Sequence, residues 1–199
     1  MAYLWLKKYQ PTQLNDFINN NKIIIEIDDW IKNYNNEEFS SCIVCGSHGI
    51  GKTTIVKLIL ELNNYYFDWL SYSDSKSLDH FDDIENNYSR INNRNFFIND
   101  KKKYALVIDD IEKITLKREK KRILELTKRN INNKNFPIIF ISNIHHNKLI
   151  NDIKKISLCY NLFNPNIDEM KILFNKIIKN ENININCNKT IKKIIKNSQ

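Results

Sequence analysis

All three glycines of this 199-residue chain fall between positions 46 and 51, so its freest backbone is concentrated in one turn. Gly46-Ser47-His48-Gly49-Ile50-Gly51-Lys52-Thr53 matches G-x-x-x-x-G-K-[ST] without a gap. The match sits between an apolar run, Ser41 to Cys45, and a stretch at helical spacing that begins at Lys52. Glycine is needed where the backbone is left-handed or crowded. Here it lets successive N–H groups curl around phosphate oxygens at a helix N-terminus. Gly46, Ser47, His48, Gly49, Ile50 and Gly51 would form the cradle. Lys52 would reach the β and γ phosphates, Thr53 would ligate Mg²⁺, and Thr54 would follow in the first helical turn. ATP with Mg²⁺ is therefore the expected cofactor.

A second nucleotide element lies about fifty residues on. Ala105 to Asp110 reads as four apolar residues followed by two carboxylates, the pattern of a strand that ends beside a bound metal. Asp109 is the expected Mg²⁺ ligand, and Asp110 stands where a base polarises the attacking water. A further apolar run from Pro137 ends in Ser142-Asn143, and neighbouring strand ends in a parallel sheet converge on phosphates. Asn143 can donate to a phosphate oxygen and accept from a water; an Asn that simply forms the turn is the other reading.

Five apolar runs read as strands: Ser41 to Cys45, Tyr66 to Tyr72, Tyr104 to Asp109, Pro137 to Ser142 and Lys155 to Phe163. Helical spacing covers Asn21 to Tyr34, Lys52 to Asn63, Ser77 to Asn92 and Thr115 to Arg129. This alternation predicts an α/β domain with a parallel five-stranded sheet flanked by helices. After Pro165 the pattern is helical only, Asn166 to Lys179 and Lys189 to Asn197. The expected organisation is a nucleotide-binding domain over residues 1–163 and a partial all-helical lid over 164–199.

The formal net charge of +8 suits a polyanionic partner. Abundant Asn, Ile and Lys also arise from an AT-rich coding sequence, which leaves the lysines as solvated surface. Four scattered cysteines do not make a disulfide framework, and an intracellular, reducing location is expected. Cys42-x-x-Cys45 has no second ligand pair at zinc spacing and reads as two packed thiols. No apolar run reaches the roughly eighteen residues that span a bilayer, so no membrane partner is expected.

Three further stretches resemble one family. Leu4-Trp5-Leu6-Lys7-Lys8-Tyr9-Gln10-Pro11 is similar to the L-W-x-x-K-Y-R-P opening of replication factor C subunits, AAA+ ATPases that load sliding clamps. Tyr72-Ser73-Asp74-Ser75-Lys76-Ser77 resembles the A-S-D-x-R-S-K of the large subunit. From Phe136 to Met170 the order of strand, basic linker, short helix, strand and F-x-P is similar to the large-subunit pattern. The resemblance implies an AAA+ fold and ATP hydrolysis to ADP and phosphate. It places Tyr9 and Pro11 on the adenine side of the pocket. It implies other clamp-loader subunits, a sliding clamp and primer-template DNA backbone as partners. The setting would be DNA replication in a nucleus or at a viral replication site.

Departures from the family shape these expectations. Gln10 stands where the opening usually has Arg. Ser157-Leu158-Cys159 replaces the Ser-Arg-Cys of small subunits, so this chain would receive an arginine finger rather than give one. Asp110 replaces Glu and is one methylene short, which implies slow hydrolysis. The sensor-two Arg of the family's lid has no counterpart before Gln199. An ATP-binding scaffold with little turnover, and another P-loop DNA ATPase such as a helicase loader, are the alternative readings.

Two surfaces complete the expectations. Lys113, Lys117, Arg118, Lys120, Lys121 and Arg122 are read as one helix face, which is either solvated or set against duplex backbone. Ile91, Phe96 and Phe97 are either anchors for the clamp or buried against the domain. His145 and His146 read as loop residues.

Overall fold

The computed structural model describes residues 5–71, 103–143 and 146–182. Its helices are α1 (Trp5–Lys8), α2 (Asn21–Lys32), α3 (Lys52–Leu62), α4 (Lys117–Asn133), α5 (Lys148–Lys154) and α6 (Ile167–Asn180). Its strands are β1 (Ser41–Cys45), β2 (Tyr65–Ser71), β3 (Lys103–Asp109), β4 (Ile138–Ser142) and β5 (Leu158–Asn161). The strands form one sheet in the order β2-β3-β4-β1-β5, and every pairing is parallel. The expected α/β class and five-stranded parallel sheet are present.

Side-chain alternation splits the core into two layers. Cys42 and Val44 of β1 and Val107 and Ile139 of the neighbouring strands face α2 and α3, where Ile24, Ile27, Ile31, Ile55 and Ile59 cover them. Ile43, Cys45, Leu106, Ile108, Ile138 and Phe140 face the other way and are covered by α4 and α5 through Ile123, Leu126, Leu149, Ile150 and Ile153. A strand buried on both faces is apolar along nearly its whole length, and β1 and β4, buried at every residue, carry polar side chains only at Ser41 and Ser142. The two thiols of Cys42 and Cys45 point to opposite faces of the sheet, so they cannot grip one ion together.

The helices after adjacent strands β1 and β4 leave toward opposite faces, α3 toward one and α5 toward the other. The C-terminal ends of these strands are thus a switch point of the sheet, where such folds place ligands.

Element ends shift for local reasons. The run read as strand from Lys155 begins instead at Leu158. Asn147 caps the start of α5, its Oδ1 accepting from Ile150 N at 2.8 Å, and past the helix end Ile156 N donates to the Ile153 carbonyl at 2.9 Å, turning the chain before it joins the sheet. The helix expected from Thr115 starts at Lys117 and runs on to Asn133, stopping at Lys134 in a left-handed conformation, φ 47°. Lys113 lies in a short 3₁₀ turn ahead of that helix, which corrects its placement on the basic helix face. The helices read at Ser77 to Asn92 and Lys189 to Asn197, the Tyr72 to Ser77 stretch, Leu4, His145 and the apolar trio Ile91, Phe96 and Phe97 lie outside the described residues.

The first residues and α6 are tied together. Lys8 Nζ and Tyr9 OH both donate to Glu181 Oε1, at 2.6 and 2.8 Å. The amides of Asn19 and Asn20 donate to the Phe163 carbonyl at 3.1 and 2.9 Å. Phe163 N in turn donates to Asn20 Oδ1 at 2.9 Å.

Phe140 is fully buried and stands in register with Ile43 on one side and Ile108 on the other. Phe140→Ala should lower unfolding free energy by about 3–5 kcal/mol, read from the midpoint and slope of a urea titration.

Candidate functional site

The loop from β1 to α3 is shaped by its glycines in two different ways. Gly49 and Gly51 have φ of 81° and 92°, a region that side chains rarely enter. Gly46 is needed for close approach: a Cβ there would stand 2.3 Å from Ile50 Cδ1 and 2.9 Å from the Leu162 carbonyl. Ser47, His48 and Gly49 form the exposed crest, while Ile50 is half-buried against the α2–α3 layer. Thr54 is half-buried one residue past Thr53.

Lys52, at 5% exposure, is among the few buried charged residues described. Its ammonium donates to the carbonyls of Gly46 at 3.0 Å and Ser47 at 2.8 Å, and to Asn143 Oδ1 at 2.8 Å. Burial pushes its pKa below the usual lysine value, opposed by the charges of Asp109, Glu112 and Asp110.

From β3, Asp109 Oδ2 accepts from Thr53 Oγ1 at 3.1 Å, and Asp109 Oδ1 accepts from Asp110 N at 2.8 Å. Burial lifts the Asp109 pKa above the usual carboxylate value, with these two hydrogen bonds opposing it. Among the described residues no cluster of three or more His, Cys, Asp or Glu could hold a metal ion. A hydroxyl and one carboxylate are hard oxygen donors that suit Mg²⁺, which keeps several waters and completes its octahedron with phosphate oxygens. Thr53 and Asp109 could hold such an ion.

At the end of β4, Asn143 Nδ2 donates to Asp110 Oδ1 at 2.9 Å and to Glu112 Oε1 at 2.7 Å. Thus the P-loop lysine, the acid pair after β3 and the Asn after β4 meet at one place.

A family model described as "ATPase family associated with various cellular activities (AAA)" matches residues 42–163, more than half of the chain. The chain belongs to the AAA ATPase family. Among curated proteins, a protein of Acanthamoeba polyphaga mimivirus, provisionally named a replication factor C large subunit, is 25% identical over 173 residues, covering 76% of this chain and 32% of its own length. Replication factor C subunit 1 of Schizosaccharomyces pombe is 27% identical over 90 residues, 38% of this chain and 10% of that protein. The replication factor C large subunit of Methanococcus aeolicus is 28% identical over 142 residues, 70% of this chain and 28% of that protein. The chain thus spans about a third or less of the length of these relatives. They match the resemblance read from the N-terminal and sensor-strand motifs.

The expected adenine-side residues precede the matched region. Tyr9 is held by Glu181 just past α6, and Pro11 is half-buried two residues on. Leu158, at the finger position of small subunits, packs partly buried against the α2–α3 layer.

Sequence reading passed over Glu112. Asp110 adopts a left-handed conformation, φ 53°, and opens the 3₁₀ turn Ile111–Lys113. That turn folds Glu112 back onto β4, where Ser142 Oγ donates to its Oε2 at 3.1 Å. The same turn brings Lys113 Nζ to Asp110 Oδ2 at 2.6 Å, and this pairing raises the lysine's pKa. The available signal was a third acid two residues past the acid pair.

Because folding raises the pKa of Asp109 above its unfolded value, its ionised form costs stability at neutral pH. Asp109→Asn should therefore raise the melting temperature at pH 7 in the absence of Mg²⁺ and nucleotide. The gain should shrink as pH falls through the raised pKa and vanish below the ordinary carboxylate value of 3.8. Thermal melts of both proteins across this range check the sign.

Proposed function

We propose that this chain is the ATP-binding subunit of a DNA sliding-clamp loader, of the replication factor C large-subunit kind. The observation that supports it most is the meeting of Lys52, Thr53, Asp109 and Asn143 at three strand ends, in an AAA domain whose curated relatives carry replication factor C names. Residues 1–163 would be the nucleotide-binding domain and residues 164–199 the beginning of a helical lid.

In this reading the backbone of Gly46 to Gly51 cradles phosphate, with Ser47, His48 and Ile50 in the loop and Thr54 beside it. Lys52 exchanges the Gly46 and Ser47 carbonyls for β and γ phosphate oxygens. Thr53 and Asp109 hold Mg²⁺, which neutralises phosphate charge. Asp110 orients the attacking water and Asn143 contacts the γ phosphate. Tyr9 and Pro11 border the adenine. Other loader subunits, the clamp and primer-template DNA are the proposed partners, in a nucleus or at a viral replication site.

Binding would lock the subunit against its neighbours, and hydrolysis would release it. Lys52→Ala should weaken ATP binding at least about tenfold in calorimetric titration, the loss expected when a charge-assisted phosphate contact disappears. Unchanged affinity would sink the assignment.

Exposed Lys117, Arg118 and Lys121 begin α4 and would face duplex backbone. The double variant Lys117→Glu/Arg118→Glu should weaken DNA binding uniformly across sequences. It should also reduce the slope of log affinity against log salt by about 2. An unchanged slope in fluorescence anisotropy would leave this helix as solvated surface.

One observation favours a second reading, a scaffold that binds ATP with little turnover. Asp110 is one methylene shorter than the family's Glu, and both its oxygens are engaged, by Lys113 and Asn143. Turnover measured in the assembled loader with DNA and clamp separates the readings, since a scaffold stays silent there.

A further inference from the structure

The side-chain amide of Asn143 has its orientation fixed by chemistry. Lysine only donates and carboxylates only accept, so Oδ1 faces Lys52 and Nδ2 faces the acids. One amide nitrogen has two hydrogens. Asp110 Oδ1 takes one at 2.9 Å and Glu112 Oε1 takes the other at 2.7 Å. To reach a phosphate oxygen, Asn143 has to give up one of these acids while the other holds it in place.

The two acids are not equivalent anchors. Glu112 is braced by Ser142 Oγ, at 3.1 Å on its second oxygen. Ser142 is fully buried in β4, directly before Asn143. Asp110 is braced by Lys113, whose side chain is half exposed. It is also the residue that would turn toward water.

We propose that Glu112 is the positioning residue for Asn143. It keeps one amide hydrogen throughout, as a fixed pivot, while the second hydrogen passes from Asp110 to the γ phosphate. This rests on the reading of Lys52 and Asn143 as the phosphate site. Glu112 would touch neither nucleotide nor metal; it would act through Asn143 and so determine how strongly the site prefers ATP over ADP.

The test is the ratio of ADP to ATP dissociation constants, measured by calorimetry with Mg²⁺ on the full chain. Melting curves establish that each variant is folded. Glu112→Ala should cut the ratio roughly tenfold, the scale of one hydrogen bond to a charged group. Asn143→Ala should do the same, and the double variant no more than either alone, because both remove one device. Glu112→Gln keeps an acceptor for Asn143 and can offer its amide to Ser142 Oγ, so it should restore most of the ratio.

Several results would overturn the proposal: a wild-type ratio near one, Glu112→Ala at the wild-type ratio, additive losses in the double variant, or Glu112→Gln as poor as Glu112→Ala. The last would mean that charge, not a hydrogen-bond pivot, is what Glu112 supplies. Should Glu112→Ala fail to fold, the Glu112→Gln ratio decides alone, with a tenfold loss counting against the pivot. Lys52→Ala in the same titration keeps the underlying reading separate. If it binds ATP like wild type, the phosphate site itself is wrong; if it loses ATP while Glu112→Ala keeps the wild-type ratio, only the pivot is wrong.

Discussion

A buried ammonium has to find acceptors, because an unpaired charge out of water is too costly to keep. Lys52 satisfies that demand with two carbonyls of its own loop and the amide of Asn143. The consequence spreads outward. The loop has to curl back over its own helix, which the left-handed Gly49 and Gly51 permit. The end of β4 has to lie beside the end of β1, which the strand order provides. Glu112, Asp110 and Asp109 then share one charged neighbourhood, and the cation at its centre makes that crowding of carboxylates tolerable.

Much of this was legible in the sequence, and the reasons are physical. β1 and β4 are apolar but for Ser41 and Ser142 at their ends, because both faces of the sheet are covered, so their limits fell within a residue of the runs. The P-loop was legible because the chain has no glycine outside it, so the clustering points to a turn that needs that freedom. The start of β5 was misread because Ile156 extends the apolar run, while its N–H in fact closes a turn onto the Ile153 carbonyl at the end of α5. Glu112 was passed over because the strand pattern ends at Asp109-Asp110. Nothing in residue periodicity announces that a left-handed Asp110 will fold the next acid back onto β4.

The position after Ser157 shows what a single side chain decides. Leu158 lies partly in the apolar layer, and a leucine offers no charge to a neighbour's nucleotide. In the proposed assembly the subunit would take such help from an adjacent molecule without returning it through this residue.

The contacts of Lys8 and Tyr9 with Glu181, and of Asn19 and Asn20 with Phe163, join residues more than 140 positions apart. During synthesis these N-terminal side chains emerge first, yet their partners at Phe163 and Glu181 are made only after all five strands. Lys8, Tyr9, Asn19 and Asn20 must therefore wait for these partners, whereas Asp16 is already bonded within the segment by the backbone of Thr12 and Gln13. Contacts across so long a loop are costly to close before nearer contacts have formed.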